Sequence, residues 1–433
     1  MTRSNPVSRL ALACVLAAAG LPVAHAAGSL SGFALMPADT FSPGPTSGQF
    51  ASGSNGRSLP LVDKQPVQGF SGVLPGPVEG TFLVMPDNGF GTKANSPDTL
   101  LRLYTVRPDF RLWTGSEATG SGEVVPVDRD TGATLTSFDS RSMIRLHDPD
   151  HRLGFALVAD ASVYPYAGSG PGSADISVDP SIRARRLLTG YDLDIESVRM
   201  DRKGHLWFGD EFGPFLVQTN ARGKVLRAEV SMPGVMSPDN PYLGGGTANL
   251  GRSRGFEGMA IDASGKTLYT LLEGTVTGDP AGSLRINAVD VSSASYTGAQ
   301  WLYKLEPQGT NIGDMTLVNG HQFLVIERNG TEATRFKKIY LIDLDVVDAN
   351  GFVSKTEVVD LMNVADPYDL NQDGLDVFTF PFVTIEDVLV LDATTLLVIN
   401  DNNYPGSSRD PGVPDPTEFL RITLDKPLPL APR

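Results

Sequence analysis

Apolar and polar residues alternate along much of this chain, which is the pattern of half-buried β-strands. Clear examples cover residues 82–85, 206–209, 337–347 and 394–400. The runs end in turns rich in Gly, Asn and Asp, and long stretches with helical periodicity are scarce. One segment, DISVDPSIRARRL (175–187), could carry a short helical turn. The pattern predicts an all-β fold.

A pair of such strands recurs along the chain. Each copy opens with an apolar residue beside an acid, crosses a polar turn, and follows a second apolar strand to another acid. The copies are 195–213, 256–274, 312–330 and 385–403, with a weaker one at 70–89. Repetition on this scale predicts a β-propeller. Five repeat units are seen directly, and we expect six blades.

Two further segments bear on the predicted ring. The interval between the unit openings at 72 and 196 is long enough to hold two blades, or one blade plus an insertion. Within it, residues 113–190 contain Gly/Ser-rich pieces and could form a lid or decorate one face. The segment EFLRITLD (418–425) reads as a terminal strand, which we expect to pair with the N-terminal strand and leave no open edge.

The first 26 residues have the layout of a secretory signal. Arg3 and Arg9 precede an apolar run from residue 10 to 23, and Ala24-His25-Ala26 forms a cleavage site. We expect export to the periplasm or the exterior after cleavage behind Ala26, with 27–433 forming one propeller domain. Cys14 allows a lipid-anchored alternative, although the apolar run continues well past it. As the only cysteine, it leaves the mature chain without disulfides or thiolate sites.

The net charge is −15, and loss of Arg3 and Arg9 takes it to −17. No run of basic residues is present, which argues against binding to nucleic acid or an anionic membrane. No segment after the leader reaches the length that crosses a bilayer. We therefore expect a monomer that acts on a small molecule.

Acidic residues occupy the recurrent positions, so a propeller would gather them around its axis. Crowded carboxylates need a cation or arginine to neutralise them, and oxygen ligands suit Ca²⁺. Asn88, Asn402 and Asn403 would add neutral oxygens. The alternative is that these acids cap turns, a use that suits Asp better than Glu. The acids are Asp87, Glu196, Asp210, Glu211, Glu257, Glu273, Asp314, Glu327, Glu386 and Asp401.

Three arginines stand close to these acids in the sequence: Arg254, Arg285 and Arg328. A guanidinium group can neutralise a carboxylate or bind a phosphate through paired N–H donors, and the sequence leaves both uses open. No nucleophile elbow, HExxH zinc motif, P-loop or GxGxxG signature stands out.

The segment DLNQDGLD (369–376) spaces oxygen ligands as a calcium loop does. Its candidate ligands are Asp369, Asn371, Asp373 and Asp376, with Gly374 at the turn. Position twelve, which is a bidentate Glu in an EF-hand, is Phe380 here. A plain Asx-rich turn is the alternative, and either use would be structural.

Four stretches together resemble a known family of exported bacterial proteins. They are DIESVRMDRKGHLWFGDEFGPFL (194–216), RGFEGMAID with GKTLYTLLEG, NIGDMTLVN with FLVIERNG, and VTIEDVLVLD with LLVINDNNYP. The family is phytase-like and is described as "esterase-like activity of phytase", and the resemblance covers about 67–424. It implies a β-propeller that hydrolyses phosphate esters or simple esters. Asp314 departs from the Glu of neighbouring units, and Ser71 replaces an acid.

These observations lead to one main functional hypothesis, a secreted Ca²⁺-dependent hydrolase of phosphate esters such as phytate. Glu196, Glu257 and Glu386 are the first expected ligands, supported by Asp87, Glu273, Asp314 and Glu327. Asp210, Glu211 and Asp401 would be ligands or general bases, and the three arginines would stabilise phosphoryl charge. The alternatives are a propeller carboxylesterase or lactonase, and a non-catalytic ligand-binding propeller.

Overall fold

The computed structural model describes residues 27–67, 69–165, 175–330 and 335–431. Regular structure in these ranges is almost entirely β, with one short helix, α1 (Pro180–Arg185), and two 3-10 turns, Lys93–Asn95 and Val158–Asp160. Asp179 caps α1 by accepting a hydrogen bond from the Ser181 N–H, in the segment where a helical turn is predicted. No helix in these ranges is long and apolar enough to cross a membrane. The predicted leader and Cys14 lie outside the described residues.

The described residues contain 27 strands, and the connections between them range from tight turns to segments of more than twenty residues. In order they are β1 (Gly28–Met36), β2 (Phe41–Pro43), β3 (Lys64–Pro66), β4 (Phe70–Pro75), β5 (Phe82–Pro86), β6 (Arg102–Asp109), β7 (Leu112–Trp113), β8 (Ala118–Thr119), β9 (Glu123–Pro126), β10 (Met143–Arg145), β11 (Ile195–Met200), β12 (Leu206–Asp210), β13 (Phe215–Thr219), β14 (Val230–Ser231), β15 (Gly258–Ile261), β16 (Thr267–Leu271), β17 (Ser283–Asp290), β18 (Ser295–Lys304), β19 (Asn311–Leu317), β20 (Gln322–Arg328), β21 (Lys337–Val347), β22 (Val353–Asp360), β23 (Val364–Ala365), β24 (Val377–Phe378), β25 (Thr384–Asp392), β26 (Thr395–Asp401) and β27 (Thr417–Leu424).

The sheets are arranged as the blades of a β-propeller. Strands β11–β14, β15–β18 and β19–β22 form three four-stranded antiparallel sheets, here called the second, third and fourth blades. The first blade contains β4, β5 and β6, and the fifth contains β25, β26, β27 and β1. The inner strands β4, β11, β15, β19 and β25 pack side by side, and β25 returns to β4. Every predicted strand pair is one of the inner hairpins of this ring.

The two ends of the chain close the ring. Strand β1 runs antiparallel to β27, from Gly28 opposite Leu424 to Met36 opposite Thr417. The predicted pairing of the terminal strands is thus confirmed. Strand β1 therefore completes the blade that contains β27 and leaves no open edge there.

The predicted sixth blade is not confirmed in the part of 113–190 that the structure describes. Strands β9 and β10 from this interval pair onto β6 rather than starting a new sheet. Apolar residues such as Leu146, Leu157 and Leu188 cover the core shared by the first two blades. The interval therefore extends the first blade and seals its junction with the second.

The core lies between neighbouring blades, where apolar sheet faces meet. Between the second and third blades, Phe256 and Leu268 are fully buried against Trp207. Full burial of one such side chain contributes roughly 1.5–3 kcal/mol. These contacts hold each inner strand in place and fix the residues at its end.

A β-bulge recurs near the start of the inner strands. The strand register shifts between Phe70 and Gly72 in β4, between Ile195 and Ser197 in β11, and between Ile385 and Asp387 in β25. The unpaired residues are Ser71, Glu196 and Glu386. In β19 the register shifts between Ile312 and Met315. A bulge redirects a side chain out of the ladder, and here it places polar side chains at the ring axis.

Candidate active site

The bulges and the ends of the second strands surround a cavity of about 220 Å³. Its lining contains eight carboxyl groups but only two guanidinium groups among the described residues. They are Asp87, Asp194, Glu196, Glu211, Glu257, Glu273, Glu386, Asp401, Arg254 and Arg328. The predicted convergence of recurrent acids at the axis is therefore seen for seven of the ten acids named from the sequence, with Asp194 as an addition.

The strand register explains which residue at the end of the second strand of each blade faces this cavity. Ile195 pairs with Asp210 in the second blade, and Ile312 pairs with Glu327 in the fourth. The residue one step further along the second strand enters the cavity. In the first, second, fourth and fifth blades, these residues are Asp87, Glu211, Arg328 and Asp401.

Arg328 is the central cation of the site. Its Nη2 donates to Glu386 at 2.8 Å, to Glu257 at 3.0 Å and to Glu273 at 3.3 Å. The Arg328 side chain is only 5% exposed. Burial lowers the pKa of Arg328, but the three carboxylates more than offset this and hold the pKa above its usual value. Arg328 therefore stays charged and offsets part of the negative charge on this side of the cavity.

Further contacts fix the acids around Arg328. Ser71 Oγ donates to Glu386 Oε2 at 2.8 Å, and Asn311 Nδ2 donates to Glu273 Oε1 at 2.6 Å. Arg254 pairs with the other oxygen of Glu273, while its side chain remains 40% exposed. Arg254 is thus the basic group of the cavity that reaches solvent most readily.

The other side of the cavity lacks arginine contacts. Asp87, Asp194 and Glu196 each offer a carboxylate oxygen, and these oxygens all lie within 4.8 Å of one another. Asp194 Oδ1 and Glu211 Oε1 are buried without a hydrogen-bond partner among the described residues. Unpaired buried carboxylate oxygens are costly unless a cation or a proton reaches them. The cluster of Asp87, Asp194 and Glu196 therefore fits a hard cation such as Ca²⁺.

The carboxyl pKa values reflect this excess of negative charge. Burial, followed by repulsion from Asp194, raises the pKa of Asp87 and of Glu196 well above its usual range. Burial and repulsion from Asp87 raise the pKa of Asp401 to about 7. Burial and repulsion from Glu273 raise the pKa of Glu211. The metal-free site thus retains protons that a cation would displace.

Two predicted site acids support the structure beside the cavity. Asp210 accepts N–H bonds from Asp194 at 2.8 Å and Gly213 at 2.7 Å, which fixes the backbone next to Asp194. Glu327 lies fully buried and accepts from Lys355 Nζ at 2.7 Å and from the Glu306 N–H at 2.6 Å. Neither side chain lines the cavity.

Asp314 also lies outside the cavity, because Gly313 occupies the position that Glu196 and Glu386 have in other blades. A Cβ on Gly313 would lie 2.0 Å from the Ile385 carbonyl oxygen, which leaves no room for a side chain. Asp314 instead accepts from Arg199 Nη2 at 2.8 Å.

Asp387 shares this neighbourhood and was not singled out from the sequence. Both of its oxygens are buried without a hydrogen-bond partner among the described residues. Burial and repulsion from Asp314 raise its pKa well above the usual range. The repeated I-x-D pattern of residues 312–314 and 385–387 was the available signal for this position.

Arg285 and the 369–376 loop lie apart from the cavity. Arg285 forms a two-pronged ion pair with Asp279, at 2.7 and 2.8 Å. In the loop, Asp369 accepts from the Gly374 N–H and Asp373 from the Leu375 N–H, at 2.9 and 2.8 Å. Asn371 Nδ2 donates to Asp373, while the Asp376 carbonyl accepts from the Asp366 N–H. This is the bonding of an Asx-rich turn.

Two of the three asparagines predicted as neutral ligands line the cavity, and the third does not. Asn403 lines the cavity, and its N–H donates to Asp401 Oδ1 at 2.7 Å. Asn88 also lines the cavity. Asn402 points elsewhere and donates to the Asp415 carbonyl at 2.8 Å.

A larger groove of about 730 Å³ adjoins the acid cavity. The two share Asp87, Gly91, Asp401 and Asn403, while Phe90 and Tyr404 form part of the groove wall. No lysine or arginine lines the groove among the described residues. The groove can therefore hold a neutral, partly apolar group whose polar end reaches the acids.

Known proteins resemble this chain to different extents. It is 26% identical to an uncharacterized secreted protein of Arthroderma benhamiae, over 27% of this chain and 24% of that protein. The chain thus spans about a quarter of the length of that relative.

Among solved structures, a luciferin-regenerating enzyme is 13% identical with a TM-score of 0.35, covering 86% of this chain and 83% of that one. Regucalcin from Agrobacterium tumefaciens, a calcium-binding protein, is 11% identical with a TM-score of 0.35, covering 92% and 97%. An exo-β-1,3-galactanase of Phanerochaete chrysosporium is 11% identical with a TM-score of 0.36, covering 88% and 64%.

The family comparison covers most of the chain. The phytase-like family, described as "Esterase-like activity of phytase", matches residues 65–404. This range contains the inner and second strands of all five blades, together with each of the ten charged residues of the cavity. The protein belongs to the phytase-like family.

Proposed function

We propose that the protein is a cation-dependent hydrolase of ester bonds, with phosphate monoesters as its first substrate class. The observation that carries this proposal is the division of one cavity into two sides. One side has three carboxylates close together without an arginine, and the other has two arginines. A phosphate ester needs a cation for its oxygens and a base for the attacking water.

Asp87, Asp194 and Glu196 would hold the cation, and Ca²⁺ matches their oxygen donors. When bound, a cation supplies positive charge for substrate oxygens and lowers the pKa of water. The other cavity acids have separate tasks. Glu257, Glu273 and Glu386 hold Arg328 in place, so they orient rather than react.

Arg254 would bind the substrate phosphate, because its guanidinium group is partly exposed and, among the described residues, forms an ion pair with Glu273 alone. Glu211 and Asp401 would accept the proton of the attacking water. Burial and repulsion from Asp87 raise the pKa of Asp401 to about 7, which suits a general base, and burial raises the pKa of Glu211 above its usual value as well. Arg328 would counter negative charge that builds up during the reaction.

Hydrolysis of a carboxylic ester is the second candidate, and the groove favours it over a highly charged substrate. The groove lining contains Asp87 and Asp401 but no basic residue among the described ones. A substrate with many phosphates, such as phytate, would meet repulsion there. An ester with one polar head and a neutral body fits better.

The test compares 4-nitrophenyl phosphate, phytate and 4-nitrophenyl acetate, each with Ca²⁺ and with chelator. We expect Ca²⁺-dependent release of 4-nitrophenol from the phosphate ester, and a large loss in Glu196→Gln. Glu327→Gln is the matched control, because Glu327 is a buried acid of the same repeat outside the cavity. Cleavage of the acetate alone would select the second candidate. Inactivity towards all three esters in both conditions would leave a ligand-binding propeller.

We further propose that the mature protein acts outside the cytoplasm. The support is the leader-like sequence of residues 1–26 and the partial similarity to a secreted protein. Fractionation of the native host after expression of the full chain tests this. A full-length protein that retains residues 1–26 in the cytoplasm would contradict it.

A further inference from the structure

A second cavity of about 660 Å³ lies at the outer junction of the first and second blades. Its charge is opposite to that of the axial cavity. Five arginines line it, with Asp130 as the one carboxylate among the described lining residues. The arginines are Arg129, Arg141, Arg145, Arg185 and Arg222. In a chain of net charge −15, such a concentration requires a physical reason.

The fold brings these arginines together from distant segments. Arg129 and Arg141 belong to the connection between β9 and β10, and Arg145 ends β10. Arg185 ends α1, and Arg222 lies in the turn after β13. The sequence contains no run of basic residues, but the fold brings these five arginines together in space.

The side chains of two of the five arginines have no hydrogen-bond or ion-pair partner among the described residues. Arg222 pairs with Asp130 at 3.2 Å, Arg141 pairs with Asp139 at 2.7 Å, and Arg129 Nη1 donates to the Ser140 carbonyl at 2.7 Å. The side chains of Arg145 and Arg185 make no hydrogen bond or ion pair with any described residue. Arg145 is half-buried, and β10 pairs it directly with Arg102, which is itself buried.

The half-buried Arg145 is in an unfavourable place for an unpaired cation. Burial, followed by repulsion from Arg102 and Arg185, lowers its pKa. A partly desolvated guanidinium group among like charges costs stability unless an anion compensates it. Guanidinium groups match the oxygens of phosphate and sulfate through paired N–H donors.

We propose that this arginine cavity is a binding site for a small, multiply charged anion bearing phosphate or sulfate groups. Arg145 and Arg185 are its main anion contacts, and Arg129, Arg141 and Arg222 surround them. The ligand is a small molecule rather than a nucleic acid, because the acidic remainder of the surface repels a long polyanion. This site is separate from the axial cavity and does not depend on its activity.

Tripolyphosphate is the probe, measured by titration calorimetry on the full mature chain in EDTA so that no cation binds it. We expect one site, and binding about tenfold weaker in Arg145→Gln and in Arg185→Gln. Arg183→Gln is the matched control: it removes an equal charge from the same helix, outside the cavity, and should change Kd less than about twofold. Arg254→Gln separates the two cavities and should leave binding intact.

Several results would overturn the proposal. They are an absence of binding to the wild type, an equal loss in Arg183→Gln, or a loss confined to Arg254→Gln. Arg185 is exposed at the end of α1, so Arg185→Gln remains informative even where Arg145→Gln folds poorly. The melting temperature of each ligand-free variant shows which of them are folded.

Discussion

The second and fourth blades share the same four-stranded topology, yet they present opposite charges to the axial cavity. The second blade contributes Glu196 from its bulge and Glu211 from its second strand. At the corresponding positions, the fourth blade has Gly313 and Arg328. The repeat therefore decides where side chains point, and the residue at each position decides what the site can bind. One departure among five blades gives the crowded acids their internal counter-ion.

Removal of Arg328, the counter-ion, should cause the largest loss of stability. Arg328→Gln leaves Glu257, Glu273 and Glu386 without their shared donor in a buried place. We expect a loss of about 3–5 kcal/mol in the free energy of unfolding, measured by urea denaturation. Arg285→Gln breaks an ion pair away from the cavity and should cost about 1 kcal/mol or less. Similar losses in the two variants would mean that Arg328 is not the counter-ion of the cavity.

Glu196 of the second blade should affect the stabilisation of the protein by Ca²⁺ rather than the stability of the fold itself. Glu196→Gln removes one of three clustered carboxylates, so Ca²⁺ should no longer raise the melting temperature. Hydrolysis should fall by about 100-fold or more. Glu327→Gln should lower the melting temperature equally with and without Ca²⁺, since Glu327 bonds Lys355 and the Glu306 N–H. An unchanged Ca²⁺ response in Glu196→Gln would contradict the proposed cation site.

Gly313 tests whether the fourth blade could have carried an acid. Gly313→Ala forces a Cβ towards the Ile385 carbonyl oxygen, so we expect a loss of about 1–3 kcal/mol by thermal denaturation. Gly320→Ala serves as the control, because a Cβ there meets no atom within 4 Å. A neutral effect of Gly313→Ala would show that the inner strands can separate to admit a side chain.

The smallest expected effect concerns pH and compares Asp314 with Asp387. Each lies two residues after the opening Ile of its unit, but only Asp314 forms an ion pair with Arg199. The folded-state pKa of Asp387 is raised, whereas its unfolded value is near 4. The folded protein thus binds the extra proton, and stability present at low pH is lost as pH rises above about 4.

Asp387→Asn removes that titration. It should stabilise the protein at pH 8 relative to the wild type by about 1 kcal/mol or more, with a smaller gain at pH 5. Urea denaturation at both pH values measures this difference. An equal gain at both values would show that Asp387 does not titrate between them.

The fold was largely predictable because its signals are local and repeated. Period-two apolar runs and Gly-rich turns gave the five hairpins, and repetition gave the propeller. The sixth blade is not confirmed: the described residues of 113–190 include apolar side chains that cover the core shared by the first two blades. Length alone does not reveal which face a segment covers.

The site was predictable only as far as the repeat extends. Glu196, Glu257 and Glu386 share one repeat position, and the cavity contains all three. Asp314 was assigned to that position because it is the first acid of its unit, although Gly313 is the residue that follows Ile312 as Glu196 follows Ile195. Asp194 was missed because its counterparts before the opening Ile, Asn311 and Thr384, are neutral, so no acid recurs there. The arginine cavity draws on residues spread over 129–222, which only tertiary packing brings together.

The closure of β1 on β27 has a consequence for how the protein is made. The hydrogen-bonded residues Ser31 and Arg421 are 390 positions apart, so this pairing joins two strands that are far apart in the sequence. Contacts between distant segments form late, because loop closure comes before the contacts that stabilise it. The fifth blade, which carries Glu386 and Asp401, is completed only when β27 is available. A chain that stops before β27 therefore lacks a complete fifth blade to hold Glu386 and Asp401 in the cavity.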